Sequence, residues 1–241
     1  MSEQSPLEES RRQFLLNALR AGALGLTTNL LPKIAGAATL GKVPRELPTG
    51  QSIYDIHGTV KINGTPANLN SIIRNNDVIQ TDKNSDVTFV VGKDAFILRA
   101  NSTLELSGDN NLLVSGLRLV TGALLSVFGK SHHHVSTSNA VIGIRGTGIY
   151  VEAEPELTYV CTCYGSTEIA AADDPTSQET IVSKHHDAPR YISSTGAKGK
   201  RIQSAPFKNH TDLELMIIET LVGRTPPFAL FDEGYGSPRR Y

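Results

Sequence analysis

From Ile53 to about Ala172 the apolar residues come in short alternating runs, and each run stops at Gly, Asp or Asn. The segment IYDIHGTVKING alternates and ends in Asn63-Gly64, a pair that accepts the positive φ angles of a two-residue hairpin turn. DVTFVVG, DAFILRA, STLELSG, LLVSGLRLV and ALLSVFG follow, each four to nine residues between breaks. In STLELSG, Leu104 and Leu106 alternate with Thr103 and Glu105, the period-two pattern of a strand buried on one face. Short strands with turns at roughly 8–12-residue spacing predict a mainly β fold, either a sandwich or a stacked sheet.

The pattern changes after Ala172. DDPTSQE reads as a polar loop, TIVSKHHDAPRYISS as a strand around His185-His186, and GAKGKRIQSAPFKN as a basic loop. In NHTDLELMIIETLVGRTPPF the period becomes helical, with Leu215, Ile218 and Leu221/Val222 on one side. Thr211, with Glu214 three residues on, has the form of a capping box. Gly223 and then Pro226-Pro227 supply the stop. One α-helix is therefore expected at about 212–222. The tail from Leu230 carries no periodic pattern and reads as mobile.

The first 37 residues read as an address. A polar start carries Arg11 and Arg12, a weakly apolar stretch runs from Phe14 to Leu31, and Ala35-Gly36-Ala37 supplies a small-residue cleavage pattern. Ser10 to Leu15, SRRQFL, resembles the twin-arginine (Tat) export signal. Thr27, Thr28, Asn29, Pro32 and Lys33 interrupt the stretch too often for a stable membrane span of about 20 apolar residues. The resemblance implies a periplasmic mature chain, anchored only if the signal stays uncleaved. It also implies a pathway that often carries proteins folded around a cofactor.

Ser138 to Thr147, SNAVIGIRGT, resembles the signature of FecR-type domains: Ala-Val, hydrophobic, Gly, hydrophobic, Arg-Gly-Thr. Its structural residues here are Gly143, Arg145, Gly146 and Thr147. The run from His57 to Ser107 is similar to the opening of the same domain. Within the motif, Val141, Ile142 and Ile144 suit a buried strand, and Gly143 and Gly146 allow close backbone approach or positive φ. Arg145 in such a run needs partners for its guanidinium, so it reads first as a clamp between strands and second as a ligand contact. The chain divides into 1–37 (signal), 38–52 (linker), 53–172 (FecR-type β domain) and 173–241 (C-terminal extension with the helix). The resemblance implies a β-rich extracytoplasmic binding or scaffold module with a protein or envelope partner. It does not bring iron-citrate signalling, which in that family also depends on a membrane helix and a cytoplasmic segment.

The two cysteines of the chain, Cys161 and Cys163, sit in YVCTCYG, where the family pattern runs through aliphatic residues. On a strand, Tyr159, Cys161 and Cys163 share one face, with Val160, Thr162 and Tyr164 on the other. Cα atoms at i and i+2 lie about 6.5–7 Å apart, at the limit of disulfide geometry, so a bridge between them would be strained and labile. Plain core cysteines are a second reading. Metal ligation is the third. Two thiolates on one face can share an ion, with His185 and His186 as the best partners and His210 as the alternative. Such a set suits zinc or copper, or an iron–sulfur cluster of the two-iron type. Neighbouring residues on a strand point to opposite faces, so His185 and His186 can both ligate one ion only from a bend. His132, His133 and His134 read equally well as an exposed loop.

Composition removes several other functions. With a formal net charge of −1 the chain offers no basic field for nucleic acid. No Gly-x-Ser-x-Gly elbow, Gly-rich phosphate loop or His-Glu-x-x-His helix occurs in the sequence, which argues against an enzyme of those classes. Two functions remain as expectations. One is a non-enzymatic binding or scaffold module with a metal site; the other is a redox or electron-transfer protein in which that site carries the activity.

Overall fold

The computed structural model describes residues 44–108 and 115–230. The signal at 1–37, the start of the linker, part of LLVSGLRLV and the tail beyond 230 lie outside the described residues. Contacts divide the chain between Arg45 and Glu46, and everything below concerns the unit that begins at Glu46.

Among the described residues the fold is mainly β with one C-terminal α-helix. The strands are β1 (Ile53–His57), β2 (Val60–Ile62), β3 (Thr65–Pro66), β4 (Val78–Thr81), β5 (Asp86–Val91), β6 (Asp94–Leu98) and β7 (Thr103–Ser107). They continue with β8 (Gly116–Val127), β9 (His132–Ser136), β10 (Ala140–Ala153), β11 (Leu157–Ala171), β12 (Asp174–Ser183), β13 (Arg190–Ser193) and β14 (Ile202–Ser204). Asn63 and Gly64 take φ of 51° and 78° and join β2 to β3 in the expected tight turn.

Three strands are much longer than the sequence breaks suggest: β8, β10 and β11 have 12, 14 and 15 residues. Each contains a glycine with positive φ where its pairing partners change: Gly122 (90°), Gly146 (56°) and Gly165 (90°). Gly122 reads from the sequence as a break between two runs, and Gly146 takes the positive φ that its motif was expected to allow. All three are bends within strands that pass from one layer to the other, as corner-forming strands do. One run of pairing is β3-β2-β4-β7, the first half of β8, β9, the first half of β10, the second half of β11, then β12. The other is β1-β5-β6, the second halves of β8 and β10, the first half of β11, then β13-β14.

Alternation sorts the side chains into two cores. Phe89, Phe96, Leu98, Leu124, Ile149, Val151 and Val160 join residues of the first run in the main core. Their neighbours Val90, Ala95, Ile97, Leu125, Tyr150, Tyr159 and Cys161 face the other way and form a second core. That second core is closed by α1 (Asp212–Leu221), whose Leu215, Ile218 and Leu221 are buried against it. Thr211 and Glu214 make the capping box, and Gly223 with φ 68° follows the helix end. Among the described residues no helix is long and apolar enough to cross a membrane.

Several local expectations change. His132, His133 and His134 lie in β9, not in an exposed loop, with His133 buried, and most of DDPTSQE belongs to β12. Arg145 is not buried. Ile142 and Ile144 face the core, so Val141 and Arg145 face solvent, and the guanidinium meets Glu168 at 3.3 Å with both side chains more than 60% exposed. Such a pair contributes little. The clamp in this motif is Thr147, fully buried, whose hydroxyl donates to the Arg145 carbonyl (2.8 Å) and accepts from the Ser166 N–H (3.2 Å). Tyr164 lies with the cysteines in the second core, not opposite them. Finally, His185-His186 does not lie within a strand: β12 ends at Ser183 and β13 begins at Arg190, with a bend between.

Candidate metal centre

Cys161 and Cys163 lie on the face of β11 that looks toward α1, and both are fully buried as free thiols. β11 pairs with β10 at Gly148↔Tyr164 and then at Ile149↔Thr162, so Cys163 is an extra residue with no opposite number on β10. This β-bulge explains why Tyr164 turns to the cysteine side, where its hydroxyl donates to Glu219 of α1.

The first imidazole comes from the bend after β12. Asp187 accepts from the N–H groups of Lys184 (2.7 Å) and His185 (3.3 Å), which curls the chain. His186 takes φ 56°, and its N–H donates to the Cys163 carbonyl at 2.9 Å. A left-handed residue at this point turns the His186 ring under β11. The second imidazole comes from the segment before α1. Glu152 of β10 holds that segment through Lys208 (2.6 Å) and Asn209 (2.7 Å), and Asn209 itself is left-handed at φ 61°. Arg99 joins it to the helix, pairing with Glu214 at 2.7 Å and donating to the Asn209 carbonyl.

Cys161, Cys163, His186 and His210 thereby converge, their donor atoms all within 4.8 Å of one another and all four residues buried. Cys161 Sγ lies 3.5 Å from His186 Nδ1, Cys163 Sγ 3.4 Å from His210 Nε2, and the two nitrogens 3.1 Å apart. A tetrahedral ion with bonds of about 2.3 Å to sulfur and about 2.0–2.1 Å to nitrogen has sulfur–nitrogen edges of about 3.5 Å and nitrogen–nitrogen edges of about 3.3 Å. The donors present fit a single ion of that kind. A two-iron cluster places its cysteines and histidines on different irons, which would hold these sulfur–nitrogen pairs farther apart.

The outer nitrogens of both rings are already engaged. His186 Nε2 is 3.0 Å from Asp212 Oδ1, and His210 Nδ1 is 2.8 Å from the Lys208 carbonyl. Each ring therefore turns its remaining nitrogen inward, the orientation that ligating histidines take when a carboxylate or carbonyl fixes the tautomer. Tyr150 stacks on His210 with ring centroids 4.6 Å apart, and Phe207 packs on both imidazoles at 4.5 and 4.7 Å. These rings exclude water from the cluster.

Electrostatics divide the donors: Cys161 is held as a thiolate, while Cys163 and His186 are held protonated. The Cys163 thiol, with help from both imidazoles, lowers Cys161 to about 4 against the effect of burial. Burial and the neighbouring sulfur push Cys163 well up. For His186, burial acts to lower the value, but the Asp212 carboxylate and the Cys161 sulfur override it and raise the imidazole to about 9. Burial acts to raise Asp212, and hydrogen bonds from His186 and His185 outweigh it and lower the carboxyl below its usual range.

His185 stands outside the four-donor group. Its Nε2 is 2.8 Å from Asp212 Oδ1, and its ring packs on Phe228 at 4.8 Å. The bend does not bring His185 to the sulfurs, because its ring turns to Asp212 and Phe228; His210, 47 residues beyond Cys163, occupies that place. Asp212 and the bulge at Cys163 were not singled out in the sequence. Asp212 had one signal, its position as the first helical residue two places after a histidine.

No family model matches the chain, and no curated protein does. Two crystal structures of a candidate anti-sigma factor from Parabacteroides distasonis are similar to it, with a TM-score of 0.43 and 14% identity. The similarity covers 53% of this chain and 58% of that one, so it spans little more than half of either protein.

Proposed function

We propose that this chain is an exported, non-enzymatic FecR-type module in which one metal ion fastens the C-terminal extension to the sheet. The ligands are Cys161, Cys163, His186 and His210. The observation that carries this reading is the convergence of four buried donors from three separated segments within 4.8 Å. A closed Cys₂His₂ shell with no solvent-facing position suits a structural ion, zinc before copper. The export route rests on the Arg11-Arg12 signal, and the FecR-type reading on Ala140 to Thr147 and the strand pattern before it. In this reading the module works by presenting a surface to a protein or envelope partner.

The test is metal analysis with an optical spectrum, on protein purified after native export. Colourless protein with at least one equivalent of tightly held zinc supports the proposal. Visible charge-transfer bands that bleach on reduction move the reading to electron transfer. Metal-free protein with two titratable thiols would sink the ligand assignment.

A further inference from the structure

We infer a second cation site on the outer side of His186, formed by His185 Nε2, His186 Nε2 and Asp212 Oδ1. These three donors lie within 4.8 Å of one another, with Asp212 Oδ1 at 2.8 Å from His185 and 3.0 Å from His186. The inference rests on the proposed inner ion only in that His186 is then shared, Nδ1 inward and Nε2 outward.

Three features separate this cluster from an ordinary carboxylate that steadies one ligating histidine. Steadying His186 needs only one imidazole, yet two Nε2 atoms converge on the same oxygen. His185 adds nothing to the inner four, but its ring is fixed between His186 and Phe228, each at 4.8 Å. The left-handed backbone at His186 (φ 56°) brings two adjacent rings to one side, which extended backbone cannot do. The two sites also differ in access. The inner donors are sealed, whereas the side chains of His185 and Asp212 are 22% and 29% exposed, so water can complete a coordination shell at the outer position.

Two imidazoles and one carboxylate suit a borderline divalent transition ion such as zinc, cobalt(II) or copper(II), not calcium or magnesium. With both ions bound, His186 is an imidazolate and its Nε2 proton leaves to solvent. Two divalent ions then face two thiolates, one imidazolate and one carboxylate, and the charges balance.

Cobalt(II) titration of the metal-free full chain tests the site. The expected result is two equivalents bound. The first brings thiolate-to-cobalt charge transfer in the near ultraviolet, and the second adds only weak visible bands. His185→Ala should bind one equivalent with the charge-transfer band intact, and His185→Gln should do the same, both with unchanged far-UV circular dichroism. If the wild type saturates at one equivalent and His185→Ala matches it, the outer site is wrong and the inner one stands. If Gln retains the second equivalent and Ala loses it, His185 is a hydrogen-bonding support and the outer site again fails. If no charge-transfer band develops at all, the inner reading has failed instead. A single equivalent that disappears in His185→Ala would then leave the outer site standing alone.

Discussion

Cys163 shows how much one residue of register decides. The alternation that puts Cys161 and Cys163 on one face could be read from YVCTCYG, because a strand leaves no other arrangement. The bulge at Cys163 could not, because it depends on how β10 and β11 slip past Gly148. Nor could His210 be preferred to His185, since the choice depends on a left-handed His186 and on anchors such as Glu152 that are distant in sequence. At this scale protons are the clearest readout. At neutral pH Cys161, held at about 4, is already a thiolate, whereas Cys163 is raised and His186, at about 9, carries a proton. Loading one ion near pH 7 should therefore release about two protons, measurable by calorimetry in buffers of different ionisation enthalpy. Asp212→Asn keeps the shape but weakens the support of His186, and metal affinity by chelator competition should fall about 10–100-fold. Asp174 provides a test away from the site. Its carboxylate accepts from the Thr176 and Ser177 hydroxyls (2.5 and 2.7 Å) and the Gly199 N–H (2.7 Å), and the Thr176 bond leads in lowering its pKa. The unfolded chain binds that proton more readily, so the contribution is present above the ordinary carboxylate range and is lost as pH falls below it. Denaturant unfolding of Asp174→Asn should show a flatter acid limb than the wild type.

Among the elements, the helix was the most legible. Thr211, Glu214, the apolar positions Leu215, Ile218 and Leu221, and the glycine stop all lie close together in sequence, and they take the expected roles. The long strands were least legible, because a glycine that bends a strand and a glycine that ends one look alike without knowledge of the partners. The exposure of Arg145 is hidden for a related reason: an apolar run of Val141, Ile142 and Ile144 conceals a period of two whose exposed members are Val141 and Arg145. Two substitutions test these elements. Ile218→Ala empties a fully buried position under the helix and should cost about 2–5 kcal/mol in denaturant unfolding. Gly165→Ala forces a Cβ onto φ 90° and within 2.6 Å of the Thr147 hydroxyl. It should lower the melting temperature, whereas Gly196→Ala, also at positive φ but in open space, should lower it less.

For the whole molecule, the centre joins β11, the bend after β12 and the segment entering α1, parts that the chain's order keeps far apart. Stripping the ion should loosen the helix before the main core, because that core does not contain the ligands. Hydrogen exchange should then rise first in α1 and the bend at 184–187. Replacing Arg11-Arg12 by Lys-Lys should hold the chain in the cytoplasm, as read by fractionation. The most direct measurement is X-ray absorption at the metal edge of protein purified after native export. The account predicts a four-coordinate shell with two sulfurs at about 2.3 Å and two imidazole nitrogens at about 2.0–2.1 Å, and loss of a sulfur in Cys163→Ser. A shell of nitrogen and oxygen alone, or no bound metal, would contradict it.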